Sequence, residues 1–322
     1  MIHTFEFYGG YQEYNDETNE LHYQRIYGSG SNMMCLLLFL IQLKTKNIYP
    51  KKIITKLQHY HNINFYDHIF DINLEKFDEW VNYSISEAES FLNSNSLNLW
   101  GMGTSRSSIN FNLLSTAMNT YFNFKPEIIL ESNNIIKKYD INTDKDTFIW
   151  WRKSDKPTEI KWYRHNAEYP TVDNFLSLLD YNNKEAESKN LSNLRAVDPS
   201  VDRFLPFLNN NNNIFLQTDD ENIKSEVLTK TAHINLKVLD HLPTCSNSEG
   251  FHAIINNTDP TIFSSKYNST ISEHLFSLFS LILTASRCNS FIGYPGTISY
   301  ITLLLRKSFD NFIFFKDDLD FY

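Results

Sequence analysis

Strands alternating with helices along the chain predict an α/β fold built from parallel units. Three observations carry that expectation. A glycine-rich turn, Gly28-Ser29-Gly30-Ser31-Asn32, runs straight into an unbroken apolar segment of helical length. Short apolar strands stop abruptly in small polar residues, as where Ile214-Phe215-Leu216-Gln217 meets Thr218-Asp219-Asp220. A second glycine turn, residues 293–297, joins another such strand to another helix.

Taken in order, the apolar run predicts a buried helix over residues 33–44. Residues 48–71 are mixed, with a strand and turn over 65–72. Helices are expected over 74–81, 86–92 and 108–124, and another over 126–138, where Pro126-Glu127 suits a first turn. Asp144-Lys145-Asp146 is a polar break before a buried strand over 147–152. Further strands are expected over 214–217, 236–239 and 290–292, with helices over 172–179, 220–229, 272–285 and 301–305. The asparagine run 209–213 reads as a surface loop, and no internal repeat is visible.

Composition removes several function classes. The 322 residues, 42 % of them hydrophobic, suffice for one large or two medium domains with real cores. A net charge of −9 without a basic stripe argues against nucleic-acid binding. The abundance of Asn, Ile, Lys, Tyr and Phe looks like the codon bias of an AT-rich genome, so asparagine runs and sequons such as Asn190-Leu191-Ser192 carry no weight. Cys35, Cys245 and Cys288 lie far apart, without metal-ligand spacing. They read as reduced thiols, and the expected location is cytoplasmic. The first ten residues lack a signal-peptide pattern, and the longest apolar run, 33–41, is too short to span a bilayer. A soluble protein without a transmembrane segment is expected.

Three places have the residue types for chemistry. In the turn of Gly28, Gly30 and Asn32, backbone amides at a helix start can approach a phosphate or a sugar. A plain helix cap by Ser31 or Asn32 explains the same residues. In Phe148-Ile149-Trp150-Trp151-Arg152-Lys153-Ser154-Asp155-Lys156, a strand ends in a guanidinium and two ammonium groups. Arg152 offers a planar fork of donors for a diphosphate, Lys156 adds a point charge, and Asp155 can hold Arg152 in place. The competing reading is a solvated loop of mixed charge. The third place is the pair of strand ends bearing Asp219 and Asp220, and Gly296 and Thr297. In open α/β sheets ligands bind beyond the carboxyl ends of strands, although Asp at a helix start is also an ordinary cap.

As an ordered set these segments resemble the fucosyltransferase group of GT-B fold: the α-1,6-fucosyltransferases, the protein O-fucosyltransferases and the nodulation fucosyltransferases. The group's His-x-Arg-Arg-x-Asp-Lys motif is similar to Trp150-Trp151-Arg152-Lys153-Ser154-Asp155-Lys156, and its Ala-Thr-Asp-Asp strand end to Gln217-Thr218-Asp219-Asp220. A third motif is similar to residues 283–289 followed by Tyr294-Pro295-Gly296-Thr297. Trp150 stands where the group has the His that holds guanine, Lys153 where it has a second Arg, and Gly296 and Thr297 where it has two serines.

The resemblance implies two Rossmann-like domains facing a central cleft. Residues 1–142 would form the acceptor side and 143–306 the nucleotide-sugar side, with 307–322 returning as a closing helix against the first domain. It implies inverting, metal-independent sugar transfer with no cofactor beyond the donor, GDP-fucose being favoured, and a glycan or glycoprotein acceptor. Arg152 and Lys156 would neutralise the departing diphosphate. Gly28, Gly30, Asn32, Asp155, Asp219, Asp220, Gly296 and Thr297 would line the donor site. The general base would come from Glu159, His165 and Glu168, with Glu168 preferred. A catalytically inactive glycan- or nucleotide-binding protein of the same fold is the alternative that Trp150 favours. A Rossmann-type epimerase is disfavoured by the missing G-x-G-x-x-G.

Overall fold

The computed structural model describes residues 1–7, 10–25, 29–57, 60–93, 111–151, 213–230, 235–245, 254–255, 258–293, 296–308 and 310–314. The helix expected over 172–179 lies outside them. The described residues form a mixed α/β structure with two main sheets.

The first sheet contains β1 (Ile2–Phe7), β2 (Gly10–Asn15), β3 (Glu20–Arg25) and β4 (Lys52–Leu57), in that order. β1, β2 and β3 are an antiparallel meander, and only β3 and β4 are parallel. This departs from the Rossmann-like first half expected from the sequence. The connections from β1 to β2 and from β2 to β3 are too short for a crossover, so neighbouring strands must run antiparallel. Alternation sets the buried face: in β3, Leu21 and Tyr23 are buried while His22 is exposed.

α1 (Ser29–Thr45) makes the single parallel crossover of this sheet, between β3 and β4. Every residue from Met33 to Ile41 is buried, as expected for a helix that is apolar all round. Phe39 meets Phe5 and Tyr23 of the sheet, with ring centroids 5.6 and 6.2 Å away. The helix starts at Ser29, so Ser31 and Asn32 lie within it and not at a cap before residue 33.

A helical stretch follows. α2 (Phe65–Ile69) leads into β5 (Phe70–Asp71), which corrects the strand expected from residue 65. Asn64 caps α2, and its side chain also accepts from the Thr55 amide and hydroxyl, both at 3.0 Å. After a short 3-10 turn come α3 (Phe77–Asn82), α4 (Ile85–Asn93), α5 (Phe111–Tyr121), β6 (Asn123–Phe124) and α6 (Pro126–Tyr139). The fully buried Lys44 at the end of α1 donates to the Trp80 and Val81 carbonyls at 2.7 and 3.2 Å. It thereby adds a charged donor to the C-terminal carbonyls of α3, where the Trp80 carbonyl also receives the Tyr83 amide at 3.2 Å.

The second sheet has five parallel strands: β7 (Thr147–Trp151), β8 (Ile214–Thr218), β9 (Leu236–Val238), β10 (Ser290–Gly293) and β11 (Phe312–Phe314). Their order is β9-β8-β7-β10-β11. The chain moves outward from β7 to β9, then returns to the other side of β7. This is the order of a doubly wound Rossmann-like sheet. α7 (Glu221–Lys230) follows β8, α8 (Pro260–Tyr267) and α9 (Ile271–Arg287) precede β10, and α10 (Thr297–Arg306) joins β10 to β11. Phe148, Phe291 and Phe312 stack across three strands, at centroid spacings of 6.4 and 4.9 Å.

Residues 312–314 form this edge strand and not the expected closing helix against the first half, because Phe312 is buried on Phe291. Residues 315–322 lie outside the described residues.

The amino edge of the sheet is tied by one buried carboxylate. Asp146 accepts from the backbone amides of Asn142 and Asn213 at 2.6 and 3.0 Å. Its carbonyl receives the Ser290 amide at 3.3 Å. Thus the last residue of the asparagine run is a structural latch.

The two halves share their core. α9 packs on α6, where the Ser132 and Thr284 hydroxyls meet at 2.9 Å, and on α2 and β5, where Phe65 stacks on Phe279 at 6.3 Å and Phe70 meets it edge-on at 5.3 Å. α10 packs on α1 and α5. Most of the buried hydrophobic residues form one cluster reaching from Tyr14 to Phe312. Among the described residues no helix is long and apolar enough to cross a membrane.

Candidate functional site

Because the second sheet is parallel, the carboxyl ends of its strands share one edge. The register places Trp151 beside Thr218 and Gly293 beside Trp150. Between β7 and β10 the strand order reverses, and in such sheets ligands bind beyond the carboxyl ends at this switch point. The end of β7 leads to the Arg152 segment, that of β8 to Asp219 and Asp220, and that of β10 to Gly296 and Thr297. Arg152, Asp155, Lys156, Glu159, His165, Glu168 and Gly28 lie outside the described residues.

At the end of β8 the two aspartates differ. Asp220 is buried, and its Oδ1 accepts from the Asn222 and Ile223 amides at 2.9 and 3.0 Å. It caps α7, and the Thr218 hydroxyl accepts from the Asp220 amide at 3.2 Å. Asp219 is only half-buried, and its carbonyl accepts the Cys245 amide at 2.8 Å. Its backbone therefore holds the segment after β9 against the strand end. The Asp220 carboxylate is thus engaged by the first turn of α7.

At the end of β10, Gly296 occupies the cap position of α10 with φ 179° and no side-chain cap bond. The first-turn amides of that helix consequently lack the side-chain acceptor that commonly satisfies them. Gly293 lies against Ser299 of the same turn, bringing helix and strand end close together. Gly30 and Asn32 belong to the first turn of α1, in the other half of the chain, and Asn32 is fully buried.

Trp150 is 6 % exposed and stacks on Phe148 at 6.1 Å, so the position that holds a His in the resembled motif is a core position here. Sequence reasoning placed Gly293 in the second glycine turn but gave it no site role; a glycine at the end of an otherwise apolar strand is the signal for close backbone approach. Two other reactive groups are unsuited to chemistry. Burial pushes the Cys288 thiol up to about 12 and holds the His274 imidazole down to about 4. Among the described residues, no three His, Cys, Asp or Glu side chains gather to hold a metal ion.

No protein-family model and no curated protein matches the sequence. Among solved structures, the chain is similar to the crystal structure of NodZ α-1,6-fucosyltransferase soaked with GDP-fucose. The TM-score is 0.45 and the identity 11 %, over 88 % of this chain and 91 % of that one.

Proposed function

We propose that the protein is an inverting, metal-independent glycosyltransferase. In this reading it transfers a sugar, fucose favoured, from a nucleotide-sugar, GDP-fucose favoured, to a glycan or protein hydroxyl. One observation carries the reading: three segments far apart in sequence lead from the carboxyl edge of one parallel sheet, around its switch point. Their ordered motifs resemble those of a glycosyltransferase group.

In this reaction the glycosidic bond to the diphosphate breaks as an acceptor hydroxyl attacks, and negative charge gathers on the leaving phosphate. Arg152 and Lys156 supply fixed positive charge there, with Asp155 holding the guanidinium. The first-turn amides of α10, opened by Gly296 and Thr297, add donors and the positive end of the helix dipole. Asp219 accepts hydrogen bonds from the base or ribose, and Glu168 takes the proton of the acceptor hydroxyl. Gly28 and Gly30 belong to the donor site in this reading, whereas the fully buried Asn32 is withdrawn from it. The regions before and after residue 142 act as the acceptor and donor domains of a GT-B arrangement. Its free, buried cysteines suit a reducing, cytoplasmic compartment.

The test is thermal melting with GDP, UDP, dTDP and CMP. A ligand that binds only the native state stabilises it by about 2.7 kcal/mol at a hundredfold excess over Kd. GDP is expected to raise the melting temperature most. No response to any of the four nucleotides overturns the proposal.

A further inference from the structure

β1 is an edge strand with one open side. Among the described residues it pairs only with β2, at the end of the first sheet. The Asp16 amide donates to the Met1 carbonyl at 2.9 Å, which continues the β1–β2 register by one residue. Hydrogen-bonded positions alternate along an antiparallel pair, so His3 and Phe5 direct their backbone groups to β2. Ile2, Thr4 and Glu6 direct theirs outward, and Ile2 and Thr4 are exposed. The other edges of the two main sheets carry the usual protection against pairing. β4 bears Lys52 and Lys56, and Asn64 accepts from its Thr55 amide at 3.0 Å. β9 and β11 have only three residues each. β1 has six and carries neither Lys nor Pro.

That edge is complementary to itself. When two copies meet antiparallel about a twofold axis at Thr4, Thr4 lies opposite the partner's Thr4 and Ile2 opposite the partner's Glu6. All three outward-directed residues of each copy then find hydrogen-bond partners, and the two Glu6 residues stay apart. On the face towards α1, His3 falls opposite the partner's Phe5. That pair makes no backbone hydrogen bonds, and in such pairs side chains approach most closely. Within one chain the His3 and Phe5 rings already stack, with centroids 6.4 Å apart, and both residues are only partly buried. The second copy brings an identical pair of rings against the first, crosswise. From the open backbone groups and this ring pairing we infer that the protein forms a twofold dimer through β1. The first sheets of the two copies, four strands each, join into one continuous sheet.

The test is sedimentation velocity of the full chain over about 1–100 µM, the regime of small interfaces. The native chain passes from monomer to dimer across that range. Thr4→Pro deletes an outward N–H, which an edge strand tolerates, so the variant stays monomeric with its melting temperature unchanged. Thr4→Lys sets like charges directly opposite and weakens association about fivefold or more. Mixing the Thr4→Lys and Thr4→Glu chains restores dimers, because the opposite charges then face each other across the axis. Three results overturn the inference: the native chain is monomeric at every concentration, a folded Thr4→Pro or Thr4→Lys chain associates as the native one does, or the mixture associates no better than Thr4→Lys alone. If Thr4→Pro misfolds, the Lys and Glu variants, which alter only an exposed side chain, decide the matter by themselves. None of these readouts involves a nucleotide, so this inference and the proposed function fail separately.

Discussion

Gly293 and Ser299 touch so closely that a methyl group on Gly293 would lie 2.5 Å from the Ser299 hydroxyl oxygen and 2.5 Å from the Phe291 ring. The end of β10 and the first turn of α10 are thereby held together at the switch point. Gly293→Ala is expected to push the helix start outward, at a cost of about 1–3 kcal/mol from overpacking. Donor-nucleotide affinity should fall about tenfold or more. Urea unfolding and calorimetric titration of the variant measure both effects. Unaltered affinity would show that the helix start does not contact the nucleotide.

Arg152→Ala should lower turnover by more than about a hundredfold, the usual scale for deleting an electrostatic contact to a transition state. Its circular dichroism and melting temperature should match the native protein. Steady-state kinetics with the nucleotide-sugar found by melting decide the matter, and normal turnover removes the guanidinium from the mechanism.

Asp219 and Asp220 should separate cleanly. Asp220→Ala removes a helix cap and should cost about 1 kcal/mol of stability, with nucleotide affinity nearly unchanged. Asp219→Asn should raise the nucleotide dissociation constant about tenfold. Equal affinities for both variants and the native chain would make the whole Thr218-Asp219-Asp220 segment structural.

The buried His274 makes the fold sensitive to acid. Its folded pKa of about 4 lies below the unfolded value of about 6.5, so above that value it is neutral in both states. As pH falls from there towards 4, the unfolded chain takes up the proton first and stability is lost, by roughly 3 kcal/mol across the window. The carboxyls of Asp240 and Glu20 are also held low, chiefly by hydrogen bonds from Tyr139 and Lys52 respectively; their contribution is lost only as pH drops through the carboxylate range. Urea melts between pH 7.5 and 4.5 should show a shallower pH slope in His274→Gln than in the native chain. Identical slopes would refute the assignment.

The second sheet was legible in sequence because strands of a parallel sheet, covered on both faces, become unbroken apolar runs. TFIWW, IFLQT and SFIG are buried at every position. The meander was not, because β1 to β3 mix exposed polar residues with buried ones, and even a glutamine, Gln12, is fully buried. The start of α1 was placed four residues late because the apolar run begins only at Met33, whereas the helix begins at Ser29. At the strand ends the limit was chemical. A carboxylate before a helix looks the same whether it caps or binds, and only the two amide contacts of Asp220 tell the cases apart. The short strand 312–314 carried aromatic residues that suit a packed helix equally well, and its pairing with β10 is a long-range fact.

The central helix α1 has a consequence for synthesis. It leaves the ribosome well before α10, which covers part of it. Until then a stretch of nine consecutive buried-type residues, MMCLLLFLI, has no complete partner surface. A nascent chain in that condition exposes adhesive apolar surface until α10 emerges. The burden falls on whatever shields growing polypeptides, and a slowly translated or prematurely stopped message would raise aggregation more than loss of any single contact in the finished fold.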